Sequence, residues 1–296
     1  MAFVLQQLIN ALALGSIYAL MAIGLAIIFG ILRLINFAHG ELLMIGPFFV
    51  LVLTLVGVPF GLAVPIAVVL AGIVGIIMER LAYRPLRGAP DVSLLLTSLG
   101  VSIFLQNITI MFFGGQSRAF SGPAFLDQRL PVMQNVGIST IDVVIFATAM
   151  VLVTLFSLFV TRTMLGISMR ASAENLLAAQ LIGINIGRVI MVAFIIGAGM
   201  ASVAGILYGM RIGKIDPLLG FIPLLKAFVA TVIGGFGSIP GAVLGAYVLG
   251  FLEILLAGSL PSGFTAYRDA IIFALLIVVL LVRPQGILGS GETERV

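Results

Sequence analysis

Cysteine and tryptophan are absent from this sequence of 296 residues, and histidine occurs once, at position 39. Without cysteine the chain has no disulfides and no thiolate metal sites, and a single histidine excludes a histidine-cluster metal centre. Charged residues are also scarce, at 9% of the chain. This fraction excludes an ordinary soluble domain, in which about a quarter of the residues are charged. We expect no metal site and no cofactor.

Apolar residues make up 61% of the chain, and the mean hydropathy is +1.30. Since roughly 20 apolar residues cross a bilayer as a helix, the apolar runs predict an all-α polytopic integral membrane protein. We predict one transmembrane domain over residues 1–296, with about eight crossings and one or two broken or re-entrant segments. Because the basic residues lie at helix ends, no nucleic-acid binding is expected. The apolar runs are Leu8–Leu32, Leu42–Leu55, Phe60–Met78, Leu94–Phe113, Ile141–Val160, Val189–Tyr208, Leu224–Ile233, Ala242–Leu256 and Ala270–Val282.

Basic side chains predict the orientation of these runs. Arg80, Arg84 and Arg87 form the densest basic cluster, which places their loop in the cytoplasm by the positive-inside rule. The polar segment Thr161–Arg188 follows two spans later and therefore lies on the same side. The loop Gly114–Thr140 and the N-terminus then lie outside.

The segment Thr161–Arg188 is longer than a connection between two helices requires. Its middle, Ala171–Ile182, contains no glycine or proline and predicts one short helix outside the bilayer, closed by Gly183. Arg170 and Glu174 are four residues apart and share a face of this helix.

Two alternatives apply to this helix: it lies on the lipid surface, or it fits a groove in a partner protein. The segment carries small residues at Ala171, Ala173, Ala178 and Ala179, and it lacks tryptophan and phenylalanine as lipid anchors. This composition favours a protein partner.

Asn36, His39 and Glu41 lie between two apolar runs with almost no loop. Three alternatives remain open for them: an intramembrane acid–base site, polar groups solvated or capping a helix at the cytoplasmic boundary, or the lining of a gate or path. The sequence contains a weak internal repeat, because Ile28–Gly46 and Val232–Gly245 each place a glycine-bearing break between apolar helices. Such paired breaks are typical of transport pathways built from a repeat.

Lys226 and Glu253 are costly if they face lipid, so they pair across neighbouring helices or snorkel to the interface. A structural pair and a substrate contact both remain open. Gly234, Gly235 and Gly237 break the same region. The stretch lacks the Lys-Ser/Thr of a nucleotide-binding loop, so we interpret it as an irregular turn that is buried or lines a cavity.

Four stretches of this sequence resemble the inner-membrane permeases of ABC importers for branched-chain amino acids, the LivH type, which are related to urea-type permeases. The similarity covers nearly the whole chain. The stretches are Gly30–Gly46, Glu79–Arg87, Met169–Asn185 and Leu225–Gly245.

The resemblance implies a multi-pass subunit of the bacterial inner membrane that moves a small hydrophobic amino acid inward. It also implies a second, LivM-like permease subunit, two cytoplasmic ATP-binding subunits and an extracytoplasmic substrate-binding protein. ATP hydrolysis is then expected on the partners, so this chain is not itself an enzyme. Alternatives are a permease for urea or short amides and a stand-alone secondary transporter; an intramembrane enzyme would need a nucleophile–base pair that the residues do not suggest.

By the same resemblance, a helix that couples to the ATPase falls on Arg170–Asn185. The general motif of ABC permeases begins Glu-Ala-Ala-x-x-x-Gly, and here Leu177 stands at the position of the glutamate. The coupling residues implied are Arg170, Ala171, Glu174, Ala178, Ala179 and Gly183, and the candidates for the path or gate are Asn36, His39, Glu41, Lys226, Gly234, Gly235, Gly237 and Glu253.

Overall fold

A computed structural model describes residues 2–133, 136–261, 264, 267–283 and 285–288 of this chain. In this part of the chain α3 continues through a π-helical turn (Glu79–Tyr83) and a 3₁₀ turn (Arg84–Leu86). The predicted polar tail Gln285–Val296 is described only as far as Leu288 and otherwise lies outside the described residues. The helices are α1 (Ala2–Leu32), α2 (His39–Leu55), α3 (Phe60–Met78), α4 (Asp91–Phe113), α5 (Thr140–Arg162), α6 (Met164–Glu174), α7 (Leu176–Leu181), α8 (Ile186–Ile212), α9 (Phe221–Gly234), α10 (Ile239–Ser259) and α11 (Arg268–Val282).

Within the described residues, six helices are long and apolar enough to cross a membrane: α1, α3, α4, α5, α8 and α10. Two shorter apolar helices, α2 and α9, accompany them. The all-α polytopic fold with broken segments is therefore confirmed. Residues 222–256, which the sequence predicts as either two short helices or one broken element, form two antiparallel helices, since Gly241 and Gly245 of α10 pack against the end of α9.

Helix α1 lies at the centre of the bundle. In the most apolar 18-residue stretch of α1, 89% is buried within the protein, whereas in the corresponding stretch of α4 only 17% is buried. Close packing around α1 depends on small residues, because a Cβ on Gly250 of α10 would lie 2.7 Å from the backbone nitrogen of Gly15. Helices α8, α10, α5 and α9 pack against α1, whereas α4 lies at the periphery and leaves most of its surface for lipid or a partner subunit.

One end of the bundle, which we call the arginine-rich end, is identified by contacts near the end of α1. Gly30 lies beside Gly237 and Ala173, and the guanidinium of Arg87 lies beside Gly187. The arginines that chain connectivity places at this end are Arg33, Arg80, Arg84, Arg87, Arg162, Arg170, Arg188 and Arg283.

Two short antiparallel ribbons mark the opposite end. Strand β1 (Arg118–Ala119) pairs with β4 (Lys214–Ile215), and β2 (Arg129–Met133) pairs with β3 (Val136–Ser139). The N–H of Gly137 donates to Oε1 of Gln6 at 3.1 Å, which fixes the second ribbon to the start of α1. The ribbons therefore close the bundle at the end opposite the arginine-rich end.

Candidate functional site

A polar break between α1 and α2 forms the centre of the candidate site. Arg33 takes a left-handed conformation, with φ 55°, directly after α1, and residues 34–38 stay non-helical until α2 begins at His39. Asn36, His39 and Glu41 are each 0% exposed. The break therefore lies inside the protein and not on its surface.

The first residues of α2 and α9 meet at this break. A Cβ on Gly40 would lie 2.7 Å from the carbonyl oxygen of Gly220 and 2.9 Å from Cβ of Leu224. Gly40 and Gly220 are both buried. The two short helices thus begin within the bundle, in backbone contact with each other.

Asn36 and Glu41 bind side chains from neighbouring helices. The Tyr83 hydroxyl donates to Oδ1 of Asn36 at 2.6 Å. Oγ of Ser102 and Nε2 of Gln106 both donate to Oε1 of Glu41 at 2.8 Å. Since Ser102 and Gln106 are four residues apart on α4, they share one face of that helix. These bonds tie the polar break to α3 and α4.

Several polar atoms at the break make no hydrogen bond to any residue that the structure describes. They are Nδ2 of Asn36, both ring nitrogens of His39 and Oε2 of Glu41. Oγ of Ser202 on α8, packed against Gly46 of α2, is a further one. An unpaired polar atom inside an apolar bundle is costly, and polar groups inside membranes commonly mark pathways and binding sites. Their concentration here makes the break the best candidate for a polar path lining.

The structure does not favour the alternative in which these polar groups are solvated or cap a helix at the membrane boundary. Solvated groups would be exposed, but Asn36, His39 and Glu41 are fully buried. A capping residue would accept hydrogen bonds from the first turn of α2, but Ala38, which precedes that turn, makes no side-chain cap. The polar groups point into the bundle because α2 begins there.

Lys226 and Glu253 form a buried ion pair, with 2.7 Å between Nζ and Oε1. The two side chains therefore pair across neighbouring helices and do not snorkel to the interface. Arg268 lies 3.2 Å from Glu253, and Lys226 lies 3.1 Å from Asp269. The Tyr18 hydroxyl donates to Oε2 of Glu253 at 2.7 Å. Two positive and two negative charges thus join α1, α9, α10 and α11, which favours a structural brace over a substrate contact.

Gly234, Gly235 and Gly237 shape the turn between α9 and α10, which we call the glycine hairpin (Gly234–Gly241). Gly235 and Gly237 have φ values of 112° and 77°, which residues with a Cβ rarely adopt. A Cβ on Gly234 would overlap the carbonyl group of Gly241. The stretch is an irregular backbone turn, as predicted.

The chain after α11 returns to the glycine hairpin. The N–H groups of Ile287 and Leu288 donate to the carbonyl oxygens of Ile233 and Gly234, at 2.8 and 2.9 Å. Gly286, at φ 75°, packs so closely on the hairpin that a Cβ would not fit. These bonds satisfy the free carbonyls at the end of α9 and fix one side of the hairpin.

The polar segment Thr161–Arg188 contains two helices, α6 and α7, beside the ends of α5 and α8. Helix α6 ends at Glu174, and Asn175 caps α7 because its Oδ1 accepts a hydrogen bond from the Ala178 N–H at 2.9 Å. The prediction of one unbroken helix over Ala171–Ile182 is therefore wrong. An asparagine side chain that caps a new helix competes with continuation of the old one.

The residues predicted for the coupling helix differ in exposure. Ala179 is only 2% exposed and packs within the chain, so it cannot be offered to a partner. Ala171 is half-buried. The exposed residues of the set are Arg170, Glu174, Ala178 and Gly183.

Larger apolar side chains form the surface of α7. Leu177, Leu181 and Ile182, which we call the α7 face, are 73%, 87% and 76% exposed. From the sequence we predict a helix here but not an exposed apolar face. The spacing does indicate such a face, because Leu177 and Leu181 are four residues apart in a segment predicted to lie outside the bilayer.

Gly30, Ala173 and Gly237 meet at the arginine-rich end. A Cβ on Gly30 would lie 3.7 Å from Cα of Gly237 and 3.9 Å from Cβ of Ala173. The end of α1 at Gly30 therefore lies against both α6 and the free side of the glycine hairpin. A displacement of α6 can reach the hairpin through Gly30, which has no side chain.

Comparison with known proteins gives one consistent family. Residues 7–280 match the family model described as the permease component of branched-chain amino acid transport systems. The chain is 41% identical to the high-affinity branched-chain amino acid transport system permease protein LivH of Escherichia coli, over 99% of this chain and 98% of the relative. The permease protein BraD of Pseudomonas aeruginosa is 41% identical over the same shares. A probable LivH of Methanocaldococcus jannaschii is 30% identical over 95% of this chain and 91% of the relative.

Proposed function

Because the chain belongs to the family of branched-chain amino acid transport permeases, we propose that it is the membrane-spanning subunit of an ATP-driven importer for branched-chain amino acids. It acts as one permease domain over residues 1–296 in the bacterial inner membrane. The arginine-rich end lies in the cytoplasm, since basic residues concentrate on that side of membrane proteins.

The proposed partners follow from membership of the permease family. A second, LivM-like permease subunit completes the translocation unit, an extracytoplasmic binding protein delivers the amino acid, and two cytoplasmic subunits hydrolyse ATP. Among the described residues, no three His, Cys, Asp or Glu side chains come together as metal ligands. The role of this chain is to open and close a path, and chemistry takes place on the partners.

The α7 face is the observation that carries the coupling role. Three large apolar side chains are exposed on a short helix at the arginine-rich end, next to the charged residues Arg170 and Glu174. Burying a leucine side chain stabilises a complex by about 2 kcal/mol. A groove on the ATPase that accepts the α7 face gains this free energy, and the contact of α6 with α1 then transmits its movement.

The proposed path runs from the opposite end, along the polar break, to the glycine hairpin. A branched-chain amino acid is apolar in its side chain but carries an ammonium and a carboxylate, which need polar partners inside the membrane. The unpaired atoms of Asn36, His39, Glu41 and Ser202 supply donors and acceptors for such groups.

A pair of leucine substitutions tests the coupling role. Leu181→Gln removes an apolar side chain from the α7 face and is expected to lower co-purification of the ATPase, and ATP-dependent uptake of labelled leucine, by about tenfold. Leu81→Gln is the matched control, because Leu81 is 75% exposed and lies at the same end, outside α6 and α7. The control is expected to leave both measurements unchanged.

The same membranes decide between the alternative functions. If no ATPase co-purifies with the unchanged protein and uptake follows the proton gradient, the chain is a secondary transporter and the proposal is wrong. Competition of leucine uptake by valine and isoleucine is expected. Competition by urea or acetamide instead would identify a permease for amides.

A further inference from the structure

Three aromatic rings meet at the arginine-rich end of the proposed path. The Phe236 ring, at the tip of the glycine hairpin, has its centroid 4.4 Å from that of Phe29 on α1 and 5.6 Å from that of Phe228 on α9. All three side chains are half-buried. The rings therefore lie between the interior of the bundle and its surface.

A small apolar cavity lies on the inner side of these rings. It is lined by Leu25, Phe29, Leu34, Ile35, Phe228, Thr231 and Phe236. Leu34 and Ile35 belong to the polar break and directly precede Asn36, whose Nδ2 is unpaired. The cavity thus lies between the aromatic rings and the two residues that precede Asn36. We call the opening that Phe236 covers the inner mouth.

Phe236 lies between two turn positions that have different neighbours. It stands between Gly235 and Gly237, both at positive φ, so the backbone on each side adopts conformations open only to glycine. On the Gly235 side, the segment after α11 is hydrogen-bonded to the end of α9. On the Gly237 side, the hairpin contacts Gly30 of α1, and Gly30 in turn lies beside Ala173 of α6.

We propose that Phe236 closes the inner mouth of the translocation path and that α6 moves it. The ring packs on Phe29 and Phe228 in the closed state. Displacement of α6 shifts Gly237 relative to the fixed Gly235 side and swings the ring away from its partners. This role rests on the proposed transport function and adds to it the residue that gates the cytoplasmic exit.

Accessibility of a single cysteine behind the ring tests this role. The chain has no cysteine of its own, so Thr231→Cys supplies one reactive thiol in the lining of the cavity. The assembled transporter is treated with a membrane-impermeant maleimide in inside-out vesicles, and labelling is measured on the band of this chain. Labelling of Thr231→Cys alone is expected to be slow, because the residue is 1% exposed.

Adding Phe236→Ala is expected to raise the labelling rate by about tenfold, since an aromatic pair contributes close to one factor of ten to the closed state. Adding Phe236→Met, which keeps most of the volume, is expected to leave labelling slow. Phe251→Ala is the remote control, because this half-exposed ring lies on α10 away from the inner mouth.

Equal rates for Phe236→Ala and Phe236→Met, whether both slow or both fast, would overturn the gating role. Slow rates for both show that the ring is no barrier, and fast rates for both show that the hairpin fold and not ring size closes the mouth. Neither result depends on the substrate. If labelling behaves as expected but leucine is not transported, the gate stands and the proposed substrate fails.

Discussion

Glu253 shows how this protein keeps a charge inside an apolar bundle. Its side chain is 4% exposed, yet both carboxylate oxygens have partners: Lys226 and Arg268 on Oε1, and the Tyr18 hydroxyl on Oε2. A buried carboxylate without such partners would be strongly destabilising. Because each partner comes from a different helix, the residue fixes the relative position of those helices.

Removing one charge from this cluster is expected to destabilise the protein. Lys226→Met leaves Glu253 with Arg268 alone among the cations and is expected to lower the free energy of unfolding by about 3 kcal/mol, the usual effect of breaking a buried pair. The double variant Lys226→Met with Glu253→Met is expected to be milder, because Arg268 and Asp269, 3.6 Å apart, then neutralise each other. Thermal unfolding of the detergent-solubilised protein measures both. A double variant less stable than Lys226→Met would contradict the structural role.

The sequence predicted this cluster only in part. Lys226 and Glu253 are recognisable because a charge in an apolar run requires a partner. Tyr18 carried no such signal, since a tyrosine is ordinary in a membrane helix and its bond to Glu253 spans 235 positions of sequence. Gln106 did carry a signal, as an amide in the middle of a predicted span, but its acceptor, Glu41, followed only from the packing of α4 on α2.

At the scale of elements, the segment between α5 and α8 is the clearest difference between prediction and structure. Its location outside the long apolar helices was predictable from charge and composition. Its division at Asn175 was not, because helix propensity is summed over a window, whereas a cap is a single side-chain hydrogen bond. The division turns α7 away from α6 and exposes the α7 face.

A disulfide between α1 and α6 tests whether α6 moves during transport. A Cβ on Gly30 would lie 3.9 Å from Cβ of Ala173, close to the separation in natural disulfides. The double variant Gly30→Cys with Ala173→Cys is expected to cross-link on oxidation and to lose nearly all uptake, which a reductant restores. The single variants, under the same oxidant, are the controls. Full uptake with the cross-link formed would show that α1 and α6 move as one body.

At the scale of the whole molecule, the two ends differ in charge and in construction. The arginine-rich end consists of short helices and glycine turns, whereas the opposite end is closed by two strand ribbons and the Arg211–Asp142 ion pair, 3.0 Å in length. The order of the apolar helices was predictable from hydropathy, but their number was not: about eight crossings were predicted, and six of the described helices are long and apolar enough to cross a membrane. The central position of α1 was not, because a run of apolar residues does not reveal which neighbours will surround it.

The proposed orientation predicts which loops a reagent can reach. In the cysteine-free chain, Ser117→Cys lies in the exposed loop after α4, and Ala89→Cys lies just before α4. An impermeant maleimide added to intact spheroplasts is expected to label Ser117→Cys and to label Ala89→Cys only after the membrane is opened. The reverse pattern would show that the arginine-rich end faces outward.

The contact between Gly40 and Gly220 limits how the protein can open at the level of the polar break. Neither residue has a side chain, so no change of rotamer can widen the gap between them. A path between these two residues would open only through separation of α2 and α9 as rigid rods, a slow collective motion that involves the helices packed on them. The proposed gate at Phe236 also depends on the movement of a helix, α6, so both levels of the path open on the timescale of helix motion.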